Sequence, residues 1–412
     1  LLSQLGVNFG NEKINFQDIT FHVDVEQSSN SKLSVFGFGG LSSNRFKRKP
    51  ASEWEEEKDR YDIDFEGKTF GIGLKETWGK KVKWTLGSVF SGQQQERHSQ
   101  SAQVSYPHVY TERYKNDYFL SSTTLNGKMK KGGSTLEWGL LANYLSNKLD
   151  VKTISPILPD LFANNMIYPN VLGRVSGLLL QPYLGTSSRI GAWQIETGLR
   201  YTHFGYNDAT SLDPRLSAQR TIGMGSLSLS YNHVSQWQQT QTYLGGVNNQ
   251  FLGLSKAHQY LVEFRQPLGE QSRLRVATYY HQLYDIPVSA LVASYSVVNQ
   301  WEEFGPQDLK NDGTAENLGA EASYEKTFDN RFYLSVNGAV YKATYKGGDG
   351  KTYQSRFNGG YTTSALVGKE WGTANKSFGV HMRVLYLGGM RQQPIDLFNS
   401  VIFGTTVYDG TG

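Results

Sequence analysis

The chain has 412 residues, and its 41 Lys and Arg residues against 37 Asp and Glu residues give a net charge of +4. This charge is too small, and too scattered, to favour a nucleic-acid partner. A helical membrane span is excluded because no stretch of about eighteen apolar residues occurs.

Alternating apolar and polar residues recur along nearly the whole chain. From residue 136, Leu136 and Leu140 share one face of an extended segment, and Glu137 lies on the other. The pattern predicts strands with one face in lipid and one in water, and strands longer than the usual five to six residues suit a tilted bilayer crossing. The residues expected to face lipid are Leu136, Leu140, Ile195, Leu199, Leu274, Val276, Leu334 and Val336.

The connections between these segments alternate between short and long. Turn-type compositions occur at 28–31, 79–81, 130–133, 189–191, 221–224, 268–271, 329–330 and 372–375. Longer stretches occur at 45–64, 98–113, 150–172, 239–255, 284–315 and 347–356, and one short connection at 207–210 lies among them. Successive hairpins that place turns in the periplasm and loops outside the cell are typical of outer-membrane barrels.

We therefore predict an all-β fold, a transmembrane antiparallel β-barrel in the bacterial outer membrane. The sequence accommodates about sixteen strands, and residues 402–408 could form one more. The absence of cysteine fits a protein that crosses an oxidising periplasm without disulfides. Because no secretory signal opens the chain and its end resembles the inside of a loop, we expect further residues at both ends.

Several runs resemble the barrels of TonB-dependent receptors from Bacteroidetes-type bacteria. They are 1–10 (LLSQLGVNFG), 16–22 (FQDITFH), 33–44 (LSVFGFGGLSSN), 253–258 (GLSKAH), 346–350 (KGGDG), 357–359 (FNG), 388–391 (GGMR) and 394–396 (PID). The resemblance implies a barrel of about twenty-two strands, of which residues 1–412 form a part. It also implies a plug domain before residue 1, more strands after residue 412, and a TonB energy-coupling complex as partner.

Charged residues of both signs occupy positions expected to face the lumen. They can hydrogen-bond a folded plug or face water in an open pore. These residues are Glu137, Glu196, Arg200, Glu263, Arg265, Arg273, Arg275, Glu321, Glu325 and Arg383.

Aromatic residues in the long loops are the candidates for ligand binding. Aromatic faces stack on sugars or flat chelates, although the same residue types also form the interfacial girdle of barrels. The candidates are Tyr106, Tyr110, Tyr114, Tyr295 and Trp301. The cargo could be a chelated metal, a glycan, a peptide or a vitamin, and a surface lipoprotein could cap the barrel.

Two other functions remain open at this point. A passive porin would close at about sixteen strands without a plug. A barrel hydrolase would need a site such as Asp117 or Asp150 near His98 or His108, although the sequence contains no nucleophile motif. No cofactor or metal motif is present either, and histidines such as His233 and His258 are interpreted as ordinary strand residues.

Overall fold

The structure is a computed structural model that describes residues 12–53, 55, 57–102, 109–154, 171–291, 293–300, 308–373, 376–391 and 395–403. One antiparallel sheet accounts for most of these residues, so the all-β prediction is confirmed. The strands are β1 Glu12–Ser28, β2 Ser31–Phe46, β3 Tyr61–Trp78, β4 Val82–Ala102, β5 Val109–Lys131, β6 Ser134–Ile154, β7 Val171–Ile190, β8 Trp193–Phe204, β9 Ala209–Ile222, β10 Gly225–Gln236, β11 Ser255–Pro267, β12 Ser272–Ser289, β13 Leu309–Thr327, β14 Phe332–Lys346, β15 Thr352–Gln354, β16 Tyr361–Gly372 and β17 Ser377–Leu387.

Each strand from β1 to β14 pairs with the next strand along the chain. The short β15 pairs with β14, and β16 joins β14 to β17. Short turns connect the strands at one end of the sheet, which we call the turn rim, and most connections at the opposite end, the loop rim, are longer. At the turn rim, Gly132 and Gly191 begin two-residue turns with φ of +60° and +59°, a conformation that glycine adopts without strain.

Among the described residues, β1 pairs only with β2 and β17 pairs only with β16. Both strands therefore present an unpaired edge within this part of the chain. An unpaired edge in hydrocarbon leaves backbone groups without hydrogen bonds, at a cost of several kcal/mol each. A barrel built on this sheet needs pairing partners for both edges.

The sequence could accommodate a further strand at 402–408, but residues 402 and 403 belong to a helix. Residues Leu397–Phe403 form the helix α2, and residues 404–412 lie outside the described part of the chain. The helix starts here because Asp396 caps it: the Asn399 backbone NH donates to Asp396 Oδ1 at 3.0 Å, and the Ser400 NH donates to the Asp396 carbonyl at 2.9 Å. No described helix is long and apolar enough to span a membrane.

Candidate functional site

The two faces of the sheet differ in chemistry. Strand register places a set of exposed large apolar side chains on one side of the sheet, which we call the apolar face. The residues that alternate with them along each strand lie on the other side, which we call the polar face. The apolar face includes Phe70, Ile72, Phe90, Leu125, Leu140, Tyr144, Leu178, Leu184, Leu199, Tyr201, Leu212, Leu216, Leu229, Tyr260, Val262, Val276, Val336 and Val340. The other residues predicted to face lipid, Leu136, Ile195, Leu274 and Leu334, have the same parity on their strands.

An ion-pair network crosses three strands on the polar face. Glu263 on β11 is only 7% exposed, and its carboxylate receives Arg275 Nε at 2.5 Å and Arg265 Nε at 2.6 Å. Arg275 extends the network to β13 through Nη1, which lies 3.3 Å from Glu321 Oε2. The structure thus brings together four of the residues expected to face the lumen.

The remaining charged candidates are distributed over the same face. Arg273 pairs with Glu325, and Glu137 pairs with Lys128 on the neighbouring strand. Glu196 accepts a hydrogen bond from Ser187 Oγ at 3.3 Å, and Arg383 lies opposite Leu366 in the register of β16 and β17. Whether any of these residues contacts a plug stays a prediction.

On β5, β6 and β8, four polar atoms of this face are buried without a hydrogen-bond partner in the described structure. Three are amide oxygens of asparagine and one is a guanidinium nitrogen: Asn116 Oδ1, Asn143 Oδ1, Asn147 Oδ1 and Arg200 Nε. Buried polar groups in native proteins are nearly always hydrogen-bonded. Their clustering on β5, β6 and β8 indicates that this wall is suited to a polar partner.

The connection between β10 and β11, residues 237–254, folds over the polar face, and we call it the inner loop. It contains the helix α1, Thr240–Leu244, whose Tyr243 packs 6.2 Å from the Phe204 ring, measured between centroids. Leu252 and Leu254 pack in the same cluster as Leu145 of β6. Burial raises the pKa of Tyr243 to about 12.

Polar contacts at Asn249 and Leu252 hold the second half of the inner loop in place. Asn249 is fully buried; its Nδ2 donates to the Thr242 carbonyl at 2.8 Å, and its Oδ1 accepts from the Leu309 backbone NH at 2.8 Å. Asn207 donates from Nδ2 to the Leu252 carbonyl at 2.6 Å. The inner loop therefore spans the loop rim from β6 to β13.

The predicted ligand-binding aromatics have different environments. Tyr110 and Tyr114 were expected in a loop, and this is wrong because β4 and β5 remain hydrogen-bonded up to residues 102 and 109. The Tyr114 ring packs against Leu149 and Val151, with the Arg97 guanidinium 5.8 Å from its centroid. The parts of β4 and β5 near the loop rim carry charged residues. They lack the alternating apolar residues that mark a lipid-facing segment.

Tyr295 does lie in a loop, between β12 and β13. Its hydroxyl donates to Gln300 Oε1 at 2.8 Å, and its ring packs against the cluster beneath the inner loop. Tyr106 and Trp301 lie outside the described residues. Ligand binding by these aromatics therefore stays a prediction.

A buried polar cluster near the loop rim was missed by the sequence analysis. His233 is 8% exposed, with Nδ1 3.0 Å from Asp213 Oδ1 and Nε2 2.6 Å from the Tyr284 hydroxyl. Ser211 and Ser235 also donate to the Asp213 carboxylate. The residues come from β9, β10 and β12, so no sequence spacing could have indicated the cluster.

Among the described residues, those suggested for a hydrolase do not assemble into a site. Asp117 lies opposite Gln94 and accepts its amide at 2.8 Å, whereas His98 pairs with Glu96, and His108 lies outside the described residues. Within the described ranges, no group of three or more His, Asp or Glu side chains is arranged to hold a metal ion.

Comparisons with known proteins identify the fold. It matches the ferric yersiniabactin uptake receptor FyuA from Yersinia pestis with a TM-score of 0.66 and 12% identity, covering 92% of this chain and 60% of FyuA. The ferric preacinetobactin receptor BauA from Acinetobacter baumannii gives 0.61 and 12%, covering 92% and 62%. The RagAB peptide transporter gives 0.57 and 10%, covering 90% and 54%. No protein-family model matches the sequence, and no curated protein matches it.

The chain therefore has the barrel fold of TonB-dependent outer-membrane receptors, as the sequence resemblance predicted. It spans 54–62% of the length of these three proteins. At identities of 10–12%, their TM-scores of 0.57–0.66 show a shared fold.

Proposed function

We propose that this chain is part of the barrel of a TonB-dependent importer, which takes up a nutrient across the bacterial outer membrane. One observation carries the proposal: the inner loop partly covers the polar face of a sheet that has the fold of outer-membrane receptors. A wall that is apolar outside and ion-paired inside fits a protein whose lumen holds another folded element.

The proposed element is the protein's own plug domain. The unpartnered amide oxygens of Asn116, Asn143 and Asn147 would accept hydrogen bonds from it, the Arg200 Nε–H group would donate one to it, and the Glu263 network would lie at its surface. Strands outside residues 1–412 would pair with β1 and β17 and close the ring. Residues 1–412 are then a partial barrel domain of a transporter rather than an enzyme.

The energy would come from a TonB complex in the inner membrane acting on the plug. The cargo class is a chelated metal, a peptide, a glycan or a vitamin, and structural neighbours that handle ferric chelates and peptides support the first two. A surface lipoprotein that caps the barrel is a further partner that this proposal allows.

The test is accumulation of defined nutrients by cells that carry the full-length gene or a deletion of it. We expect the deletion to abolish uptake of one class among ferric chelates, peptides, glycans and cobalamin, and a protonophore to abolish the same uptake in wild-type cells. Uptake that continues with the proton gradient dissipated, together with steady conductance of the purified protein in planar bilayers, would instead identify a passive porin.

A further inference from the structure

The polar face has a recess of about 550 Å³ on β10 to β14, which we call the amide recess. Val298, from the connection between β12 and β13, and Ser355, which follows β15, also line it. Small-molecule sites in proteins have volumes of about 300–1,000 Å³. The amide recess is therefore large enough for a small ligand.

A row of uncharged polar side chains crosses the amide recess along the strand register. Its members are Asn232 on β10, Gln259 on β11, His281 on β12 and Asn317 on β13, each the register partner of the next. Neighbouring strands lie about 4.8 Å apart, so the row is about 14 Å long. His281 has the parity of Arg275 on β12, which places the row on the polar face.

The three amide side chains of this row are half-buried and unused within the described part of the chain. Neither a side chain nor a backbone group of the described residues forms a hydrogen bond with the amide of Asn232, Gln259 or Asn317. Each amide offers two N–H donors and one carbonyl acceptor. A ligand can therefore bond to the row by displacing water, without breaking any hydrogen bond that holds the fold.

Two tyrosine rings line the amide recess next to the row. Gly319 on β13 is the register partner of both Tyr279 on β12 and Tyr341 on β14. A Cβ added at Gly319 would lie 2.5 Å from Cζ and the hydroxyl oxygen of Tyr279, so this ring lies along the sheet over the glycine. The His281 ring lies 5.1 Å from the Tyr279 ring between centroids, at an interplanar angle of 33°. The row of amides is thus bordered by a flat aromatic surface.

No Lys, Arg, Asp or Glu among the described lining residues contributes an unpaired charge to the amide recess. Arg275 donates to Glu263 at 2.5 Å and lies 3.3 Å from Glu321. Lys342 has the parity of Val340, whose side chain belongs to the apolar face. A charged chelate, or a peptide with ionised ends, would lose hydration in this recess without gaining an ion pair. The lining favours an uncharged ligand.

The row lies at the height of the extracellular surface of the membrane. On the apolar face, Tyr231, Tyr260 and Tyr280 are register partners across β10, β11 and β12, each one residue from a member of the row. Tyrosines in such positions are typical of the interfacial girdle of barrels. Tyr280 is eight residues from Ser272 at the turn rim, which is about 20 Å of the membrane normal at a tilt of about 40°. The amide recess therefore lies where a solute that enters from the loop rim would reach it.

We propose that the amide recess binds a neutral oligosaccharide, which deepens the proposed function by assigning the glycan class to the cargo. The apolar C–H face of a sugar ring would pack on Tyr279. Its hydroxyl groups would bond to Asn232, Gln259 and Asn317, and because a hydroxyl both donates and accepts, as an amide does, each contact can form in either direction. The lining is specific to this chain, whereas the likeness to receptors for ferric chelates and to a peptide transporter shows the fold alone.

This inference rests on the proposed function, because it takes the recess to face a lumen through which cargo passes. The test measures binding of maltohexaose, xylohexaose, mannohexaose and laminarihexaose to full-length protein in mild detergent by isothermal titration calorimetry. The variant Gln259→Ala with Asn317→Ala, the row variant, removes two amides of the row. The matched control is Gln219→Ala with Asn337→Ala, which removes two exposed amides of the polar face outside the recess. Tyr279→Phe and Tyr279→Ala separate the ring from its hydroxyl group.

We expect at least one of these oligosaccharides to bind the wild type and the control equally, and the row variant about tenfold or more weakly. Tyr279→Phe should bind within about twofold of the wild type, and Tyr279→Ala about threefold to tenfold more weakly. Equal binding by the row variant and the control would overturn the proposal, as would a wild type that binds none of the oligosaccharides. Loss of thermal stability in the row variant without any oligosaccharide binding would indicate that the amides bond to the plug instead.

Heat-dependent migration in SDS gels checks that the variants are folded. An outer-membrane protein that takes up a ferric chelate or a peptide with the proton gradient, equally in the wild type and the row variant, would refute this inference alone. A protein that shows no energised uptake in either form would refute the proposed function as well.

Discussion

The backbone NH of Leu309, the first residue of β13, donates a 2.8 Å hydrogen bond to Oδ1 of Asn249, which lies 60 residues earlier in the inner loop. Asn249 is fully buried and also donates to the Thr242 carbonyl. A single amide side chain thus connects the inner loop to a strand that does not adjoin it in sequence. This connection makes the stability of the inner loop testable.

Replacing Asn249 by Ala should release the inner loop. The change leaves the Leu309 NH and the Thr242 carbonyl unpartnered in a buried site, at about 1–3 kcal/mol for such a group. Thermal unfolding of full-length protein in detergent should shift down, and a cysteine placed at the buried Thr242 should react faster with maleimide. Asn248→Ala is the control, since the exposed neighbour Asn248 makes no side-chain cap hydrogen bond. Equal labelling in both variants would show that Asn249 does not hold the loop.

The Glu263 network should contribute measurably to stability. Glu263→Gln leaves Arg265 and Arg275 without the carboxylate they share, and we expect a loss of about 1–3 kcal/mol. The expected loss of stability is smaller than that for breaking a fully buried ion pair, because the Arg275 side chain is 39% exposed. Urea unfolding in lipid vesicles measures the loss. Glu196→Gln, whose carboxylate accepts one long hydrogen bond from Ser187, should change stability by less than about 0.5 kcal/mol; a similar loss from both variants would contradict the network.

Tyr243 should give the inner loop a characteristic alkaline transition. Burial raises its pKa from the ordinary 10.0 to about 12, so the folded state favours the neutral phenol. This contribution to stability is fully present below pH 10 and is lost as the pH rises through 12. Titration of tyrosinate absorbance should show one late-ionising group fewer in Tyr243→Phe than in the wild type. If the substitution removes a group that ionises near pH 10, the burial of Tyr243 is wrong.

On the apolar face, the close packing of Trp138 on Gly127 predicts a steric effect. A Cβ added at Gly127 would come within 2.5–2.8 Å of indole ring atoms of Trp138, which also meets the Trp84 ring edge-on at 5.6 Å. Gly127→Ala should therefore displace Trp138, shift its fluorescence and cost about 1–3 kcal/mol. Gly338→Ala is the control, because its nearest neighbour is 3.8 Å away. Matching spectra and stabilities for the two variants would refute this packing.

The sequence predicted the side of the sheet on which residues lie, but not where the strands end. Alternation is a local property of the pleat, so Leu140 and Val276 could be placed on one face from sequence alone. Tyr110 and Tyr114 were misplaced because the strand continues through Arg113, Lys115 and Asp117, where no apolar residue marks a face. Strands of up to 23 residues exceed the nine to eleven that cross a bilayer, so their outer parts lack the lipid-facing signal.

The inner loop and the His233 cluster could not be predicted for a different reason. Both depend on contacts between residues that are distant in sequence, such as Asn249 with Leu309 and His233 with Tyr284. Asparagine and glutamine in a stretch such as 237–254 also suit an exposed loop, so composition alone gives no indication of burial. Strand register across β10, β11 and β12 and the path of the inner loop bring these segments together.

Two positions on β8 that lie on opposite faces of the sheet give the most direct test of its placement in the membrane. Leu199→Cys and Glu196→Cys, each in an otherwise cysteine-free full-length protein, are labelled with bimane and reconstituted into vesicles of brominated lipid. Strong quenching is expected at residue 199 and little at residue 196, because Leu199 belongs to the apolar face and Glu196 to the polar face. Quenching at residue 196 as strong as at residue 199, or none at residue 199, would contradict the assignment of this sheet as a membrane-spanning barrel wall.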